Sequence, residues 1–461
     1  MSITDLNPQY TDGMKAVKRC RDVFKGQSAI QKINGSGVTD YFPMHVPEDK
    51  ERYARVIALS SFTNYTGHTV NKLVGAAFNE EPTTNLSDNS AMAYMIEDCD
   101  GGGGDLEQLA TSAVLDNTIA GRLGLLVNFP VTNGKVHSKE DVKRLNLRAS
   151  IHRYPAESIP NWGVVNGQLS YVVLLEDKRD MSQDMFSHQS TVGHRVYYIA
   201  EDGFCYQQFV EDGKEFLAEG GQMVLDYNGA GFAQIPMIII GSVDNSASVD
   251  KPPISAMADV NISHYQISVL ESENLAIHGQ MTLGVTSDLS VAEWNTANPE
   301  GVKVGANSGY FLGSKGGFHT ATAPESSALP AAKEAKVREM EALGASLIDK
   351  NATAKTATEA GINAKEQTSI MMNVVNNVSD AIEKCLEWAE MMTVAKPQGD
   401  FEYRINTEFY DSTISPDLFT AALGAVDRSM FDQNAQQQLL EQTFPTILFN
   451  ENSVIAAEEA L

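Results

Sequence analysis

Residues 235–279, "IPMIIIGSVDNSASVDKPPISAMADVNISHYQISVLESENLAIHG", decide how the chain is read. The opening "IPMIIIG" is a short apolar run that suits a buried strand and is far too short to span a bilayer. "SVDNSASVD" follows as a polar connection. Pro252 and Pro253 then suit the first turn of a helix, where a missing N–H costs nothing. One helix is predicted over about 254–278, with Met257, Val260, Ile267, Leu270 and Ile277 at three- and four-residue spacings or their sums, forming one apolar stripe. A β region ends here and a long helix leaves it.

Working outward toward the N-terminus, 147–240 alternates strands with Gly/Asp turns: "ASIHRYP", "LSYVVLLED", "HRVYYIAEDGFCYQQFV", "GKEFLAE" and "IPMIIIG" predict a mainly antiparallel sheet. Before it, "DCDGGGGDLEQLATSAVLDNTIAGRLGLLVNFP" gives a four-glycine turn, Asp105 as N-cap, an amphipathic helix and a strand over 124–129. Two short helices are expected over 49–78 and another over 89–97.

Beyond the long helix, 281–325 reads as short strands and glycine turns, and 329–348 returns to helix with Val337, Met340, Leu343 and Leu347 in one stripe. A helix leads out, a small β-rich module follows, and a helix leads back. A longer helix is predicted over 359–395, striped by Val374, Val378, Ile382, Cys385, Ala389 and Met392 and stopped by Pro397 and Gly399. "DFEYRINTEF" is a strand, and the residues after Ser415 are helical. The fold class is α+β.

The composition bounds the function. The chain has 461 residues, 43% of them hydrophobic, and a formal net charge of -26, which argues against a tight sequence-reading nucleic-acid binder. An acidic wall past which DNA slides is compatible with it. Cys20, Cys99, Cys205 and Cys385 are far apart and read as small buried hydrophobes in a reducing compartment. The N-terminus lacks the pattern of a signal peptide, so a soluble, cytoplasmic protein is expected.

Site chemistry is sparse. "GYFLGSKGG" at 309–317 places Ser314 where a phosphate-binding loop needs lysine and reads as a hairpin turn. Gly101–Gly104 reads as a flexible turn rather than an anion site. The histidines form no metal-ligand spacing, and His264 and His278 read as helix-surface or subunit-contact residues. "DCD" at 98–100 lacks the oxygen series of a calcium loop. No nucleophile elbow is present. Neither an enzyme activity nor a cofactor or metal is expected.

Four stretches, "YARVIALSSFTNYTGHTVNKLVGAAF", the glycine-turn segment above, the decisive stretch with its "QMTL" continuation, and "MEALGASLIDKNATAKTATEA", resemble the portal proteins of tailed bacteriophages. They are most similar to a podovirus-type portal family catalogued as a domain of unknown function. The resemblance covers most of 50–395 and implies a ring, usually of about twelve subunits, at one capsid vertex.

It implies an α/β wing beginning in 1–249, a two-helix stem at 250–281 and 329–346, and a β-rich clip at 282–328. A tunnel loop follows at 347–361, a wing spine helix and strand at 362–410, and crown-like helices at 411–461. The stem residues are Met257, Val260, Ile267, Leu270, Ile277, Val337 and Met340; the clip docking residues are Trp294, Lys303, Tyr310, Phe311, Lys315 and Phe318. The implied partners are other copies of the chain, major capsid and scaffolding proteins, the terminase large subunit, tail adaptors and non-specifically contacted double-stranded DNA, without a membrane. The implied location is the virion, after assembly in the host cytoplasm.

"LIDKNATAKTATEAGINAKEQ", 347–367, acquires a role under this resemblance. A loop facing DNA is polar, small and free of apolar anchors. Lys350, Asn351, Thr353, Lys355, Thr356 and Thr358 fit, with the lysines as rings of positive charge in an acidic channel. The alternative is a solvent linker in which Thr356 or Thr358 caps the next helix. For the whole chain the alternatives are another head–tail connector or minor capsid protein, and a cytosolic enzyme with no site visible in sequence.

Overall fold

The computed structural model describes residues 3–43, 50–88, 91–130, 147–179, 190–279, 282–299, 311–321, 328–348, 369–407 and 409. Helix α1 (Pro8–Lys25) begins where the Asn7 side chain accepts the Gln9 N–H at 3.0 Å, and it buries Val17, Cys20 and Val23. Nothing in the sequence reading anticipated this helix, because its apolar stripe is thin and its exposed face strongly charged. After α2 (Gln27–Ile30) come α3 (Lys50–Leu59) and α4 (Tyr65–Ala77), the two short helices expected there. Asn64 caps α4 by accepting the Gly67 N–H at 2.8 Å.

Strand β1 (Thr83–Thr84) precedes α5 (Tyr94–Glu97), a single turn where a helix over 89–97 was expected. Residues 89–90 lie outside the described residues, and 91–93 form a turn. Helix α6 (Leu106–Ala120) starts as predicted, with Asp105 accepting the Gln108 N–H at 2.6 Å. It ends at Gly121, whose φ of 68° is left-handed. A Cβ at Gly121 would lie 3.1 Å from the Lys251 carbonyl and the Pro252 Cα. The turn into the next strand is thus pressed against the residues that open the long helix.

Strand β2 (Arg122–Asn128) is buried over its first six residues, since both faces are covered. It pairs antiparallel with β3 (Ser150–Pro155), and the antiparallel meander β4 (Asn161–Val165), β5 (Gln168–Arg179), β6 (Ser190–Ile199), β7 (Cys205–Glu211), β8 (Gln222–Met223) forms a five-stranded sheet. The expected sheet is therefore two sheets, because β9 (Met237–Gly241) returns to the free side of β2 to give the order β3-β2-β9. "GKEFLAE" is not a strand. Gly213 turns the chain at φ 80°, and Phe216 sets its ring edge-on against Tyr198, 5.3 Å between centroids.

Helix α7 (Ser255–Gly279) runs as the decisive stretch predicts. Ile254, Met257, Tyr265 and Val269 are buried among α1, α3 and α4; beyond Val269 the helix emerges, with Leu270 37% and Leu275 66% exposed. Next come β10 (Thr282–Thr286), α8 (Val291–Ala297) and β11 (Gly317–Ala321), which pairs antiparallel with β10. Helix α9 (Ala328–Ile348) returns along α7, tied by Lys333 to Glu271 at 2.8 Å. Helix α10 (Ile370–Thr393), opened by Ser369 accepting the Met372 N–H, buries its whole predicted stripe against α6, β2 and β9. The predicted residues 359–368 of this helix lie outside the described residues. The strand expected in "DFEYRINTEF" is only β12 (Tyr403–Arg404), paired with β1.

Candidate functional site

The chemistry that could make this an enzyme can be followed residue by residue. All four cysteines are free and buried. Burial pushes the Cys20, Cys99 and Cys205 thiols up to about 12 and Cys385 higher still, so they behave as hydrophobes. The four-glycine turn is fixed rather than flexible. Asp100 Oδ1 accepts from the amides of Gly102 and Gly104 at 2.7 and 3.0 Å, and Asp98 Oδ1 from Gly103 at 3.0 Å. These bonds hold the Asp100 carboxyl below its usual range and use the amides an anion would need.

A cleft of about 680 Å³ lies between the two sheets, lined by His152, Tyr154, Glu176, Arg195, Tyr197 and Gln207 among others. Its charges are mutually satisfied. Arg195 Nε donates to both Glu176 oxygens at 2.9 Å, and the Tyr154 hydroxyl donates to Glu176 at 2.6 Å. Burial lowers the His152 pKa, and its Nε2 lies 2.9 Å from Ser150 Oγ. Of the two carboxylates whose charges act on this imidazole, Asp100 is occupied by glycine amides and Glu176 by Arg195 and Tyr154. The arrangement therefore has no oriented nucleophile–base–acid chain. Among the described residues, no three His, Cys, Asp or Glu side chains converge as metal ligands, and no helix is long and apolar enough to cross a membrane.

What remains distinctive is the excursion α7–β10–α8–β11–α9. Of the predicted stem residues, Met257, Val260 and Met340 are buried, Ile267 and Val337 half-buried, and Leu270 exposed. Ile277 belongs to α7, but its side chain lies outside the described residues. In the module between the helices, Trp294 is half-buried on α8, Phe311 is 63% exposed and Lys315 is exposed. Phe318 pairs through its backbone with Val285, and its side chain is not described. Lys303 and Tyr310 lie outside the described residues.

The module is held by polar clips. Asn298 accepts the Phe311 N–H at 3.3 Å and donates to the Phe311 carbonyl at 3.0 Å, while Ser314 Oγ donates to Asp288 at 2.7 Å. That last bond holds the Asp288 carboxyl below its usual range. Of "GYFLGSKGG", the described residues 311–317 form a bend clamped from Asp288 that leads into β11, the strand paired with β10. Helix α8 is also a correction to a module of strands and turns. Its Ser290–Glu293 capping box, legible as "SVAE", was the available signal. The whole proposed tunnel-loop set, Lys350, Asn351, Thr353, Lys355, Thr356 and Thr358, lies outside the described residues.

His264 corrects the surface-histidine reading. It is 1% exposed on α7, its ring edge-on to Tyr65 at 5.3 Å, and neither ring nitrogen has a hydrogen-bond partner. It stands four residues after Val260 and three before Ile267, so helical spacing sets it within the apolar stripe of α7, where it is buried. Burial lowers its pKa, Lys333 lowers it further, and Glu271 opposes. The unfolded chain therefore binds this proton more readily than the folded one. The stabilising contribution is complete above about pH 6.5, the unperturbed value, and declines as the pH falls below it. Denaturation midpoints from pH 7.5 to 5 should fall more steeply for the parent than for His264→Phe; equal slopes would mean that the ring is hydrated.

Residues 253–392, the excursion and the long helix after it, match a family model described as a domain of unknown function (DUF4055). No curated protein matches the chain. Three solved structures are similar. In the neck of an empty gene transfer agent (GTA) particle, computed with C6 symmetry, the match has 12% identity and TM-score 0.41, covering 84% of this chain and 92% of that one. In the virion of the native particle the values are 11% and 0.37, over 84% and 88%. In the neck of the native particle, computed with C12 symmetry, they are 11% and 0.38, over 82% and 90%.

Proposed function

We propose that this chain is the subunit of a phage portal: a ring at one capsid vertex that passes DNA during packaging and ejection and docks the packaging motor, then the tail adaptors. The observation that carries this reading is the excursion. Helix α7 leaves its burial after Val269, a small β10–α8–β11 module follows, and α9 returns antiparallel to it. A projecting helix pair with Leu270 and Leu275 exposed has little core of its own, and neighbouring copies would supply one.

In this reading the helices are the stem, the module is the clip and the sheets belong to the wing. Phe311 and Lys315 are clip contacts for terminase and adaptors, and 347–361 is the tunnel loop. The 411–461 segment is the crown. The ring works inside a virion, against capsid and scaffolding proteins, and needs no cofactor.

Light scattering with electron microscopy of the purified chain tests it. A ring of about twelve copies around a central hole is expected; a stable monomer or compact dimer would overturn it. Lys355→Glu should leave that ring mass unchanged and lower DNA packaged per particle several-fold, because it replaces a ring of cations along the channel with anions. Loss of the ring itself would place the loop in the subunit interface instead.

A further inference from the structure

Two surfaces remain unexplained by anything above, and they are complementary. The first is the end of the five-stranded sheet. Between 200 and 227 seven carboxylates stand against one lysine, Lys214, which is already paired with Glu211. Within this acidic rim, Phe204 is 36% exposed, Leu225 44% and Tyr227 57%. Phe204 and Leu225 meet through Gly231, which pairs with Leu225 and approaches the Phe204 ring. Exposed aromatic and aliphatic groups inside a polar rim have the anatomy of a protein interface, not of a solvated loop.

The second surface is α1. In a chain of net charge -26 it carries five basic residues against two acidic ones, the largest basic surplus among the described helices. Three of the cations share one face, on which Asp22 also lies, held by Lys18 and the Tyr41 hydroxyl. At 100° per residue, Lys15, Lys18 and Lys25 lie on the side opposite the buried Val17, Cys20 and Val23. Arg19 and Arg21 lie between the two faces and are used within the fold, by Asp259 and by Asp116 with Glu157. Lys18 is shared between Asp22 and Asp40, at 3.4 and 2.7 Å. Lys15 and Lys25 are exposed and make no ion pair among the described residues.

We infer that the Lys15–Lys25 face of α1 docks against the Phe204–Leu225–Tyr227 end of the sheet on a second copy of this chain, an inference that rests on the ring reading above. Copies this acidic repel one another on average, so a stable contact between them needs an opposite-charge pairing, and among the described helices α1 offers the strongest cationic face for it. The two surfaces are different patches, so the contact is heterologous, the kind that generates a ring when its rotation closes. The aromatic centre supplies the burial; the charged rim selects the partner and makes association sensitive to salt.

The experiment measures assembly of the full chain by light scattering at 0.15 M salt, a concentration at which the Debye length is about 8 Å. One variant carries Lys15→Glu with Lys25→Glu, a second Glu201→Lys with Glu215→Lys, and a third all four changes. Thermal melts verify that each is folded. Each two-site reversal should weaken association by about tenfold or more, and the four-site variant should recover most of that loss. Full assembly in both two-site variants, or a four-site variant no better than either, would overturn the pairing while leaving the ring reading standing. A wild-type chain that remains monomeric would overturn the ring reading and this inference together.

Discussion

Replacing Asp116 with alanine is expected to cost about 3–5 kcal/mol of stability, the range for removing one partner of a buried charge pair. The Asp116 side chain is 8% exposed at the end of α6, and its two oxygens are divided between two guanidinium groups: Arg21 Nη1 donates to Oδ1 at 2.6 Å and Arg153 Nη1 donates to Oδ2. Arg21 is further bound by Glu157, while Asp116 is the carboxylate found for Arg153. The cluster joins α1, α6 and β3. Alanine would leave Arg153 without a carboxylate and Arg21 with Glu157 alone.

Asp116→Asn keeps an acceptor for one arginine and removes only the charge, so it should fall between the parent and Asp116→Ala. Denaturant unfolding of the three proteins checks the order. A cost below about 1 kcal/mol for Asp116→Ala would mean that the cluster behaves as a solvated surface pair.

How much of this was legible in the sequence depends on the period of each signal. The α10 stripe from Val374 to Met392 repeats over several turns and is wholly buried as predicted, and Pro252 and Pro253 announced α7. Asp105 marked the start of α6 by cap chemistry alone, whereas its left-handed Gly121 end went unread. Signals failed where tertiary contacts overrode short patterns. "GKEFLAE" lacks a strand's alternation, opens on the left-handed Gly213 and spends its aromatic ring on Tyr198. α1 was invisible because three buried residues in eighteen make a narrow stripe, and its charged face, the part that matters for the interface inferred above, resembles a solvated loop.

The candidate site was legible as an excursion, helix out and helix back, because its helices are long. The polar clips within it were not. Asn298 gripping Phe311 and Asp288 gripping Ser314 join residues more than ten apart, which no local period can report. His264 failed for a different reason: its spacing to Val260 and Ile267 placed it in the apolar stripe, and only its polar side chain argued for the surface.

Asn261→Leu should cost about 2–4 kcal/mol, because it orphans buried polar groups at the root of α7. Asn261 is 0% exposed. Its Nδ2 donates to the Thr63 carbonyl at 2.9 Å, and its Oδ1 accepts from the Thr66 amide at 3.1 Å and the Thr66 hydroxyl at 3.0 Å. Leucine conserves approximate volume but answers none of these. Thr66 Oγ1 can retreat toward the Met257 carbonyl, 3.5 Å away, and the Thr63 carbonyl keeps the Tyr65 N–H at 3.0 Å, whereas the Thr66 N–H loses its acceptor.

Adding Thr66→Val removes the hydroxyl that must give up its Asn261 acceptor, so the double variant should be less damaged than the sum of its singles. Strict additivity would mean the two residues do not act as a unit. Asn261 fixes where α7 is rooted on α4, and every residue of the projecting helix pair is a lever arm on that root. In the ring proposed above, the single variant should lose ordered assembly at temperatures where its fold still persists, since a ring closes only when each subunit repeats the same angle.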